Sequence, residues 1–277
     1  MTMRVLEPGD EPAMGAFLMP HAASSMFLLS NSRAAGLVDE GKPFQATYAG
    51  AFDAGELVGV AAHCWNGMVL VQAPRELVRE LASFAVARSG RAIAGFSGPA
   101  EQVAIARGAF ELPQPAVDEV ESLYGLELDD LRIPAALDAM TCRRPSTTEL
   151  PQLAAWRRAY HVESLGAADS AEVVTQAARE IDQLFALARV WVLEVGGAIV
   201  AMTGFNAQIP RVAQVGGVYT PDALRGRGYA RCAVAGSLIG ARGEVDRAIL
   251  FTPNPAAARA YEAIGFRRLG AYALVML

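Results

Sequence analysis

The residues whose types and spacing most clearly indicate chemistry lie in a short basic, glycine-rich segment, residues 225–231. It reads Arg-Gly-Arg-Gly-Tyr-Ala-Arg. The segment follows an apolar run that ends at Pro221, and an apolar pattern with helical spacing comes after it. Glycine accepts positive φ and lets backbone N–H groups converge on one point, and a helix N-terminus adds partial positive charge. The segment therefore predicts a binding site for a phosphate or a pyrophosphate.

Spacing separates this segment from other phosphate-binding loops. A P-loop requires Gly-x-x-x-x-Gly-Lys-Ser/Thr, and no Lys-Ser or Lys-Thr pair follows Gly228. A Rossmann fingerprint requires Gly-x-Gly-x-x-Gly, whereas Arg231 stands at the last of these positions. Residues 225–230 instead fit the pattern Arg/Gln-x-x-Gly-x-Gly/Ala. For this motif alone, a glycine-rich surface turn without a ligand is the alternative.

A second segment combines polar residues with the start of a later helix. A short buried strand is predicted over residues 248–252, and Pro253-Asn254-Pro255 follows it. Asn254 suits the N-cap position and Pro255 the first helical position, so the next helix is predicted over residues 256–264, before Gly265-Phe266. Asn254 and Tyr261 are two helical turns apart, which places them on one face.

In this order, the two segments resemble the signatures of the GNAT (GCN5-related) N-acetyltransferases. Residues 225–230 match the family's coenzyme A pyrophosphate loop, and Asn254, Tyr261 and Gly265-Phe266 match its second signature. The resemblance covers residues 146–277. It implies an N-acyltransferase that passes an acyl group, expected to be acetyl, directly from acyl-coenzyme A to a primary amine of a small molecule or peptide. Acetyl-coenzyme A is the implied co-substrate, with no metal and no covalent enzyme intermediate.

The resemblance also implies roles for individual residues. Backbone N–H groups of Gly217, Val218 and Thr220 would face the thioester, where preorganised donors supply roughly 3–4 kcal/mol. Tyr261 matches the family's general acid to the leaving thiolate. Free tyrosine has a pKa of about 10 and a thiol one of about 8.5, so complete proton transfer would cost about 2 kcal/mol, which favours hydrogen-bond donation by the phenol. The implied coenzyme A contacts are Gly217, Val218, Tyr219, Thr220, Arg225, Gly226, Arg227, Gly228, Tyr229, Ala230, Arg231 and Asn254.

Several of these assignments have alternatives. The side chain of Asn254 would bind the pantetheine arm in the family, but it could instead cap its helix, which is worth about 1 kcal/mol. Arg225 and Arg227 would pair with phosphates or remain solvated. Tyr261 would donate to the thiolate or be a half-buried aromatic residue between helix and sheet.

The general base is the least determined part of the site, because the predicted central strand Val212–Tyr219 carries no carboxylate. Glu163 is the candidate, and a relay of water molecules is an equal alternative. Trp156, Tyr160 and Glu163 share one face of a helix predicted over Leu153–Leu165. They would contact the acceptor, or the two aromatic residues would pack in the core with Glu163 in solvent.

The elements that position these residues occur twice along the chain. Strands are predicted in the C-terminal half at 190–195, 198–205 and 212–219, and in the N-terminal half at 45–52, 57–63 and 68–72. We therefore predict an α/β fold of the α+β, mixed-sheet kind, with two tandem GNAT-like modules over residues 1–135 and 136–277. Each module is expected to have a mixed, mostly antiparallel sheet flanked by helices, with a splayed central pair of strands.

The two predicted modules are chemically unequal. From the proline after the third strand to the next matched arginine is 26 positions in the second half, Pro221 to Arg247, and 17 in the first. Gly98 and Ile105 stand in the first half where the second has its asparagine and tyrosine. The first module, closed by a strand at 123–128, is therefore predicted to be degenerate: it would lack a coenzyme A loop and serve as structural support or as a wall of the acceptor cleft.

Composition fits a folded enzyme. Of 277 residues, 53% are hydrophobic and 19% charged, which argues against disorder, and a net charge of −5 argues against a nucleic-acid partner. Three cysteines without ligand spacing predict free thiols in the cytoplasm, and no membrane-spanning segment is predicted. The oligomeric state stays open, a homodimer included. A non-catalytic acyl-coenzyme A-binding or regulatory protein is the alternative function.

Overall fold

The contacts within the chain divide it into two compact units. The computed structural model describes all 277 residues. The N-terminal unit comprises Met1–Leu123 and Gly270–Leu277, and the C-terminal unit comprises Tyr124–Leu269. Each contains strands in mixed pairing with helices packed against them, which confirms the predicted fold class.

The N-terminal unit has a sheet in the order β1-β2-β3-β4-β5, followed by the last part of the C-terminal strand. Only β4 and β5 are parallel. In chain order, the helices and strands of the first part of the chain are β1 (Thr2–Val5), α1 (Glu11–Leu18), α2 (Ala22–Ala35), β2 (Ala46–Asp53), β3 (Glu56–Cys64), β4 (Met68–Gln72), α3 (Arg75–Ser89), β5 (Gly95–Pro99), α4 (Ala100–Arg107) and β6 (Val117–Glu127).

Helix α3 carries much of the core of this unit. It begins directly after Pro74 and ends at Gly90, which takes a left-handed conformation with φ of 66°. Leu77, Leu81 and Ala85, at helical spacing, are buried against the sheet together with Phe96. The three strands predicted at 45–52, 57–63 and 68–72 are also present, with shifts of one residue at some ends.

The strand that completes the N-terminal sheet comes from the far end of the chain. Residues Tyr272–Met276 pair antiparallel with β5, and Ala273 and Val275 are buried in this unit's core. A Cβ at Gly95 would overlap the carbonyl oxygen of Val275, so the close approach requires glycine there. The closing strand predicted at 123–128 is present as β6, over Val117–Glu127. It does not pair with β5, however, because the C-terminal strand takes that place.

The observed units accordingly differ from the predicted boundary at 135/136. The division falls after Leu123, and the last eight residues belong to the N-terminal unit. The physical reason is that strand pairing and burial assign Gly270–Leu277 to the first core, although these residues follow the second module in sequence.

The C-terminal unit contains the predicted loop and helix starts. Its sheet order is β11-β10-β9-β8-β7, with β10 and β11 parallel and the other pairs antiparallel. The elements are β7 (Thr141–Arg143), α5 (Leu150–Leu165), α6 (Ala171–Ala186), β8 (Val190–Val195), β9 (Ala198–Ile209), β10 (Arg211–Tyr219), α7 (Tyr229–Gly240), β11 (Val245–Thr252), α8 (Pro255–Ala263) and β12 (Arg267–Met276), which continues into the other unit.

The two faces of the C-terminal sheet bury different helices, because successive strand side chains alternate between faces. Leu153 of α5 and Ile181 of α6 pack with Val192 on one face. Val234 and Leu238 of α7 belong to the cluster on the other face, with strand residues such as Phe205 and Val215. The sheet is thereby fixed from both sides around β10.

One segment of the N-terminal unit, Glu11–Ala35, is long and apolar enough to cross a membrane by length and composition alone, with a mean hydropathy of 1.2. It is not one continuous helix: a short 3-10 turn, Met19–His21, separates α1 from α2, and Ser25 interrupts the helical conformation within α2. Met14 and Leu29 illustrate its apolar residues that are buried in the protein. Buried core helices pass the same composition test, so the absence of a membrane span remains a prediction.

Candidate active site

The central strands of the C-terminal unit separate from each other. Strand β10 pairs with β11 from Arg211 to Gln214, which is opposite Ile249, although β10 continues to Tyr219. On its other side the register with β9 shifts after Gln214 and again between Gly216 and Tyr219. Beyond Gln214, the backbone of β10 is thus no longer held in a regular ladder with β11.

Two adjacent glycines lie in this irregular part of β10. Gly217 has φ of 58°, and a Cβ there would overlap a guanidinium nitrogen of Arg157. A Cβ at Gly216 would overlap the side-chain amide of Asn206. Gly217 therefore requires glycine for its backbone conformation and for the approach of a buried arginine, whereas a side chain at Gly216 would have to displace the exposed amide of Asn206.

The glycine-rich loop has the geometry predicted for an anion site. Gly226 and Gly228 both have φ of 79°, and Gly228 is the N-cap of α7 in a left-handed conformation. Helix α7, 12 residues long, begins directly after the loop. Its first backbone N–H groups and the positive end of its dipole therefore lie next to the loop. Arg231, in the first turn of α7, lies against Gly228.

Helix α8 begins as predicted, with Asn254 as N-cap and Pro255 in the first turn. The Oδ1 of Asn254 accepts hydrogen bonds from the backbone N–H of Ala256 at 2.8 Å and of Ala257 at 3.3 Å. Of the two alternatives for Asn254, the structure therefore shows the helix cap.

These elements enclose a cavity of about 540 Å³ between the end of β10, the loop, α7, α8 and the end of α5. Most of the predicted site residues line it; Gly217 and Arg227 do not. The lining residues are Glu163, Ser164, Val218, Tyr219, Thr220, Leu224, Arg225, Gly226, Gly228, Tyr229, Ala230, Arg231, Asn254, Ala256, Ala257, Ala260 and Tyr261.

The sequence reasoning missed the three alanines of α8 and Ser164 and Leu224. The alanines occur one turn apart or side by side on the first turns of α8, and their small side chains leave room next to the loop. A run of alanines directly after an N-cap asparagine and proline is the signal that could have identified them.

The cavity contains polar atoms that have no partner in the protein. The Oγ1 of Thr220 and the Nε of Arg231 are buried and make no hydrogen bond. Because buried polar groups are almost always satisfied, a donor and an acceptor of this kind in one cavity indicate a polar ligand. With the glycine-rich loop and the start of α7, they fit the phosphates and amide-rich arm of coenzyme A.

Glu163 is held by an ion pair. One carboxylate oxygen accepts from the guanidinium of Arg225, and the other accepts from the hydroxyl of Tyr219 at 3.0 Å. The hydrogen bond from Arg225 lowers the pKa of Glu163, so in the free protein this carboxylate is a weaker base than an ordinary glutamate. Burial, followed by the neighbouring carboxylate, raises the pKa of Tyr219.

Tyr261 is 7% exposed, lines the cavity and packs edge-on against Phe266 with ring centres 6.1 Å apart. Burial raises the pKa of its phenol well above the ordinary value. The hydroxyl therefore keeps its proton throughout the neutral range and can act as a hydrogen-bond donor inside the cavity.

A buried charged cluster next to Gly217 was not predicted. Arg157, only 8% exposed, places its Nε 2.5 Å from Glu180, and His161 Nε2 lies 2.9 Å from the same carboxylate oxygen. Burial alone would raise the pKa of Glu180, but the hydrogen bond from His161 and the charge of Arg157 lower it to about 2. The spacing of Arg157 and His161, one helical turn apart in α5, was the available signal.

The face of α5 that was predicted to contact an acceptor divides between core and cavity. Trp156 and Tyr160 pack against the core cluster of Leu153 and Ile181, and the Trp156 ring lies 6.2 Å from that of Tyr219. Glu163 alone of the three predicted residues lines the cavity. The alternative in which the aromatic residues belong to the core is therefore the one observed.

The whole chain shares its fold with solved acetyltransferase structures of low sequence identity. A GNAT family acetyltransferase from Colwellia psychrerythraea aligns over 100% of both chains with a TM-score of 0.56 and 16% identity. A GCN5-related N-acetyltransferase from Sphaerobacter thermophilus aligns over 99% of this chain and 94% of its own, with a TM-score of 0.57 and 17% identity. A tandem GNAT protein from the clavulanic acid biosynthesis pathway aligns over 100% of this chain and 98% of its own, with a TM-score of 0.54 and 14% identity.

The sequence model of the Acetyltransferase (GNAT) family matches residues 150–266. This range contains strands β10 and β11, the glycine-rich loop and the three helices that line the cavity, α5, α7 and α8. No curated protein matches the sequence. Residues 150–266 thus match the GNAT acetyltransferase family by sequence, within a chain that has the GNAT fold over its full length.

Proposed function

We propose that the C-terminal unit binds acetyl-coenzyme A in the 540 Å³ cavity and transfers its acetyl group to a primary amine of a small molecule or peptide. The observation that carries the proposal is the loop of Gly226 and Gly228, both left-handed, at the start of α7 beside the unpartnered Nε of Arg231. The start of α7 supplies backbone N–H groups and a helix dipole, and Arg231 adds a positive charge, in the lining of the same cavity; these are the groups that would bind a pyrophosphate.

The co-substrate supplies the activated acyl group as a thioester. The acceptor nitrogen gives up a proton and forms a bond to the carbonyl carbon; the carbon–sulfur bond then breaks, and the sulfur leaves with the electron pair. The backbone N–H groups of Val218 and Thr220, which line the cavity at the end of β10, would donate to the developing oxyanion, a contribution of roughly 3–4 kcal/mol in comparable sites. No covalent bond to the protein is required.

Tyr261 would donate a hydrogen bond to the departing sulfur. Burial raises the phenol's pKa further above that of a thiol, so complete proton transfer would be more costly than for a free tyrosine. The phenol would therefore stabilise the thiolate mainly as a donor, and the proton would move as the intermediate collapses or arrive from water.

The first experiment is a screen for coenzyme A release from acetyl-coenzyme A across amino acids, aminoglycosides, polyamines and simple amines. With the best acceptor, Tyr261→Phe is expected to lower kcat by about 10²-fold, the scale for loss of one positioned donor or acid. Dissociation constants for coenzyme A, measured by calorimetry, should stay close to that of the unaltered protein. Turnover equal to that of the unaltered protein would remove the role assigned to Tyr261.

The same measurements separate catalysis from binding alone. Tight coenzyme A binding with no turnover in the whole screen would favour an acyl-coenzyme A-binding or regulatory protein. Failure of the unaltered protein to bind coenzyme A would remove both functions.

A further inference from the structure

Each nitrogen of the Arg225 guanidinium contacts an oxygen atom of the protein. Its Nη2 donates to Glu163, its Nη1 lies 3.3 Å from Asp222, and its Nε donates to the backbone oxygen of Thr220 at 3.0 Å. Arg231 differs, because its Nε is buried without a partner in the same cavity. Of these two cavity-lining arginines, Arg225 is paired with a carboxylate and Arg231 is not.

Glu163 and a phosphate would compete for the same group. Carboxylates and phosphates are both bound by arginine through paired N–H donors. Glu163 and Arg225 both line the cavity, and their side chains are 41% and 47% exposed. An ion pair this exposed is weak, so an incoming diphosphate can displace the carboxylate from Arg225 at small cost.

Glu163 would stay in place after the exchange. Its other oxygen accepts from the hydroxyl of Tyr219 at 3.0 Å, and the Tyr219 ring is 8% exposed and packed near Trp156. The carboxylate would then lie in the cavity without its cationic partner. The main cause that lowers its proton affinity in the free protein would be gone.

We propose that Glu163 competes with the donor for Arg225: the coenzyme A diphosphate takes the guanidinium, and the displaced Glu163 carboxylate keeps its hydrogen bond from Tyr219. The inference rests on the proposed function. Glu163 thereby lowers the affinity of the protein for the donor.

The test is the affinity for coenzyme A itself, which needs no acceptor. Glu163→Gln removes the competing charge and keeps the side-chain size, and it is expected to tighten the calorimetric dissociation constant about threefold. Asp222→Asn is the matched control, because Asp222 is 91% exposed and pairs with the same arginine; its dissociation constant should change by less than about twofold.

A double-mutant comparison isolates the coupling between the two residues. In a background of Arg225→Ala, which is expected to weaken coenzyme A binding, Glu163→Gln should produce no further tightening. Thermal unfolding of each variant confirms that it is folded.

The outcomes distinguish a failure of the Glu163–Arg225 coupling from a failure of the proposed function. If the unaltered protein binds coenzyme A and Glu163→Gln leaves affinity unchanged or weakens it, the coupling is wrong and the proposed function stands. If the tightening persists without Arg225, the competition acts elsewhere and the coupling is likewise wrong. If the unaltered protein shows no binding of coenzyme A, the proposed function itself fails.

Discussion

At the scale of single residues, the two loop glycines share a backbone conformation but have different surroundings. Both have φ of 79°, which side chains other than glycine rarely adopt. A Cβ at Gly226 would meet nothing within 4 Å, whereas one at Gly228 would lie 3.1 Å from the Nε of Arg231. Alanine substitutions at the two glycines, compared with each other, therefore distinguish the effect of backbone strain from the effect of displacing Arg231.

Gly228→Ala is expected to lower the free energy of unfolding by about 1 kcal/mol, because alanine is strained at this φ. It should also weaken coenzyme A binding about threefold, because the methyl group would crowd the Nε of Arg231, a residue that lines the cavity. Denaturant unfolding and calorimetry measure the two effects.

Gly226→Ala is the control for backbone strain alone. It should cost a similar amount of stability, about 1 kcal/mol, with a smaller loss of coenzyme A affinity. Equal losses of affinity in the two variants would contradict a specific role for the contact between Gly228 and Arg231.

At the scale of elements, the start of α8 decides between two uses of Asn254. Its Oδ1 caps the helix through two backbone N–H groups. Asn254→Ala is therefore expected to lower the free energy of unfolding by about 1 kcal/mol, and Asn254→Ser, which preserves a capping oxygen, should cost only a few tenths of that loss. Both variants should bind coenzyme A within about twofold of the unaltered protein.

A stable Asn254→Ser protein with clearly weaker coenzyme A binding would contradict this expectation. That result would show that the amide also contacts the pantetheine arm, since serine supplies the cap and lacks the amide.

Local signals predicted the elements well where the sequence punctuates them. Gly196-Gly197, both with positive φ, end β8, and its predicted bounds are the observed ones. Strand β9 was predicted to stop at Phe205 but continues to Ile209, because pairing with β10 extends it through Ala207 and Gln208. Pairing partners distant in sequence set such ends, and local composition does not record them.

At the scale of the molecule, the N-terminal unit repeats the strand–helix order without the binding loop. Two residues, Ala73 and Pro74, separate β4 from α3, whereas residues 220–228 separate β10 from α7. The backbone N–H of Ala73 donates to the Oε1 of Gln102 in α4 at 2.9 Å. The backbone at the end of β4 is therefore satisfied by a side chain of its own unit.

We accordingly predict one coenzyme A site per chain. Calorimetric titration with coenzyme A should give a stoichiometry near one. Arg231→Ala, in the C-terminal unit, should remove most of the binding heat, because the N-terminal unit has no glycine-rich loop that could bind coenzyme A instead. Two sites per chain, or one site that persists unchanged in Arg231→Ala, would contradict this assignment.

The sequence by itself determined the loop at 225–231, the start of α8 and the doubled strand–helix order, because each depends on the spacing of neighbouring residues. Only the tertiary structure decided that the last strand completes the first unit, that Arg157 lies against Gly217, and that Arg225 pairs with a glutamate 62 positions away. These features depend on which distant segments share a surface. Burial and strand pairing between such segments select them, and no local pattern encodes the choice.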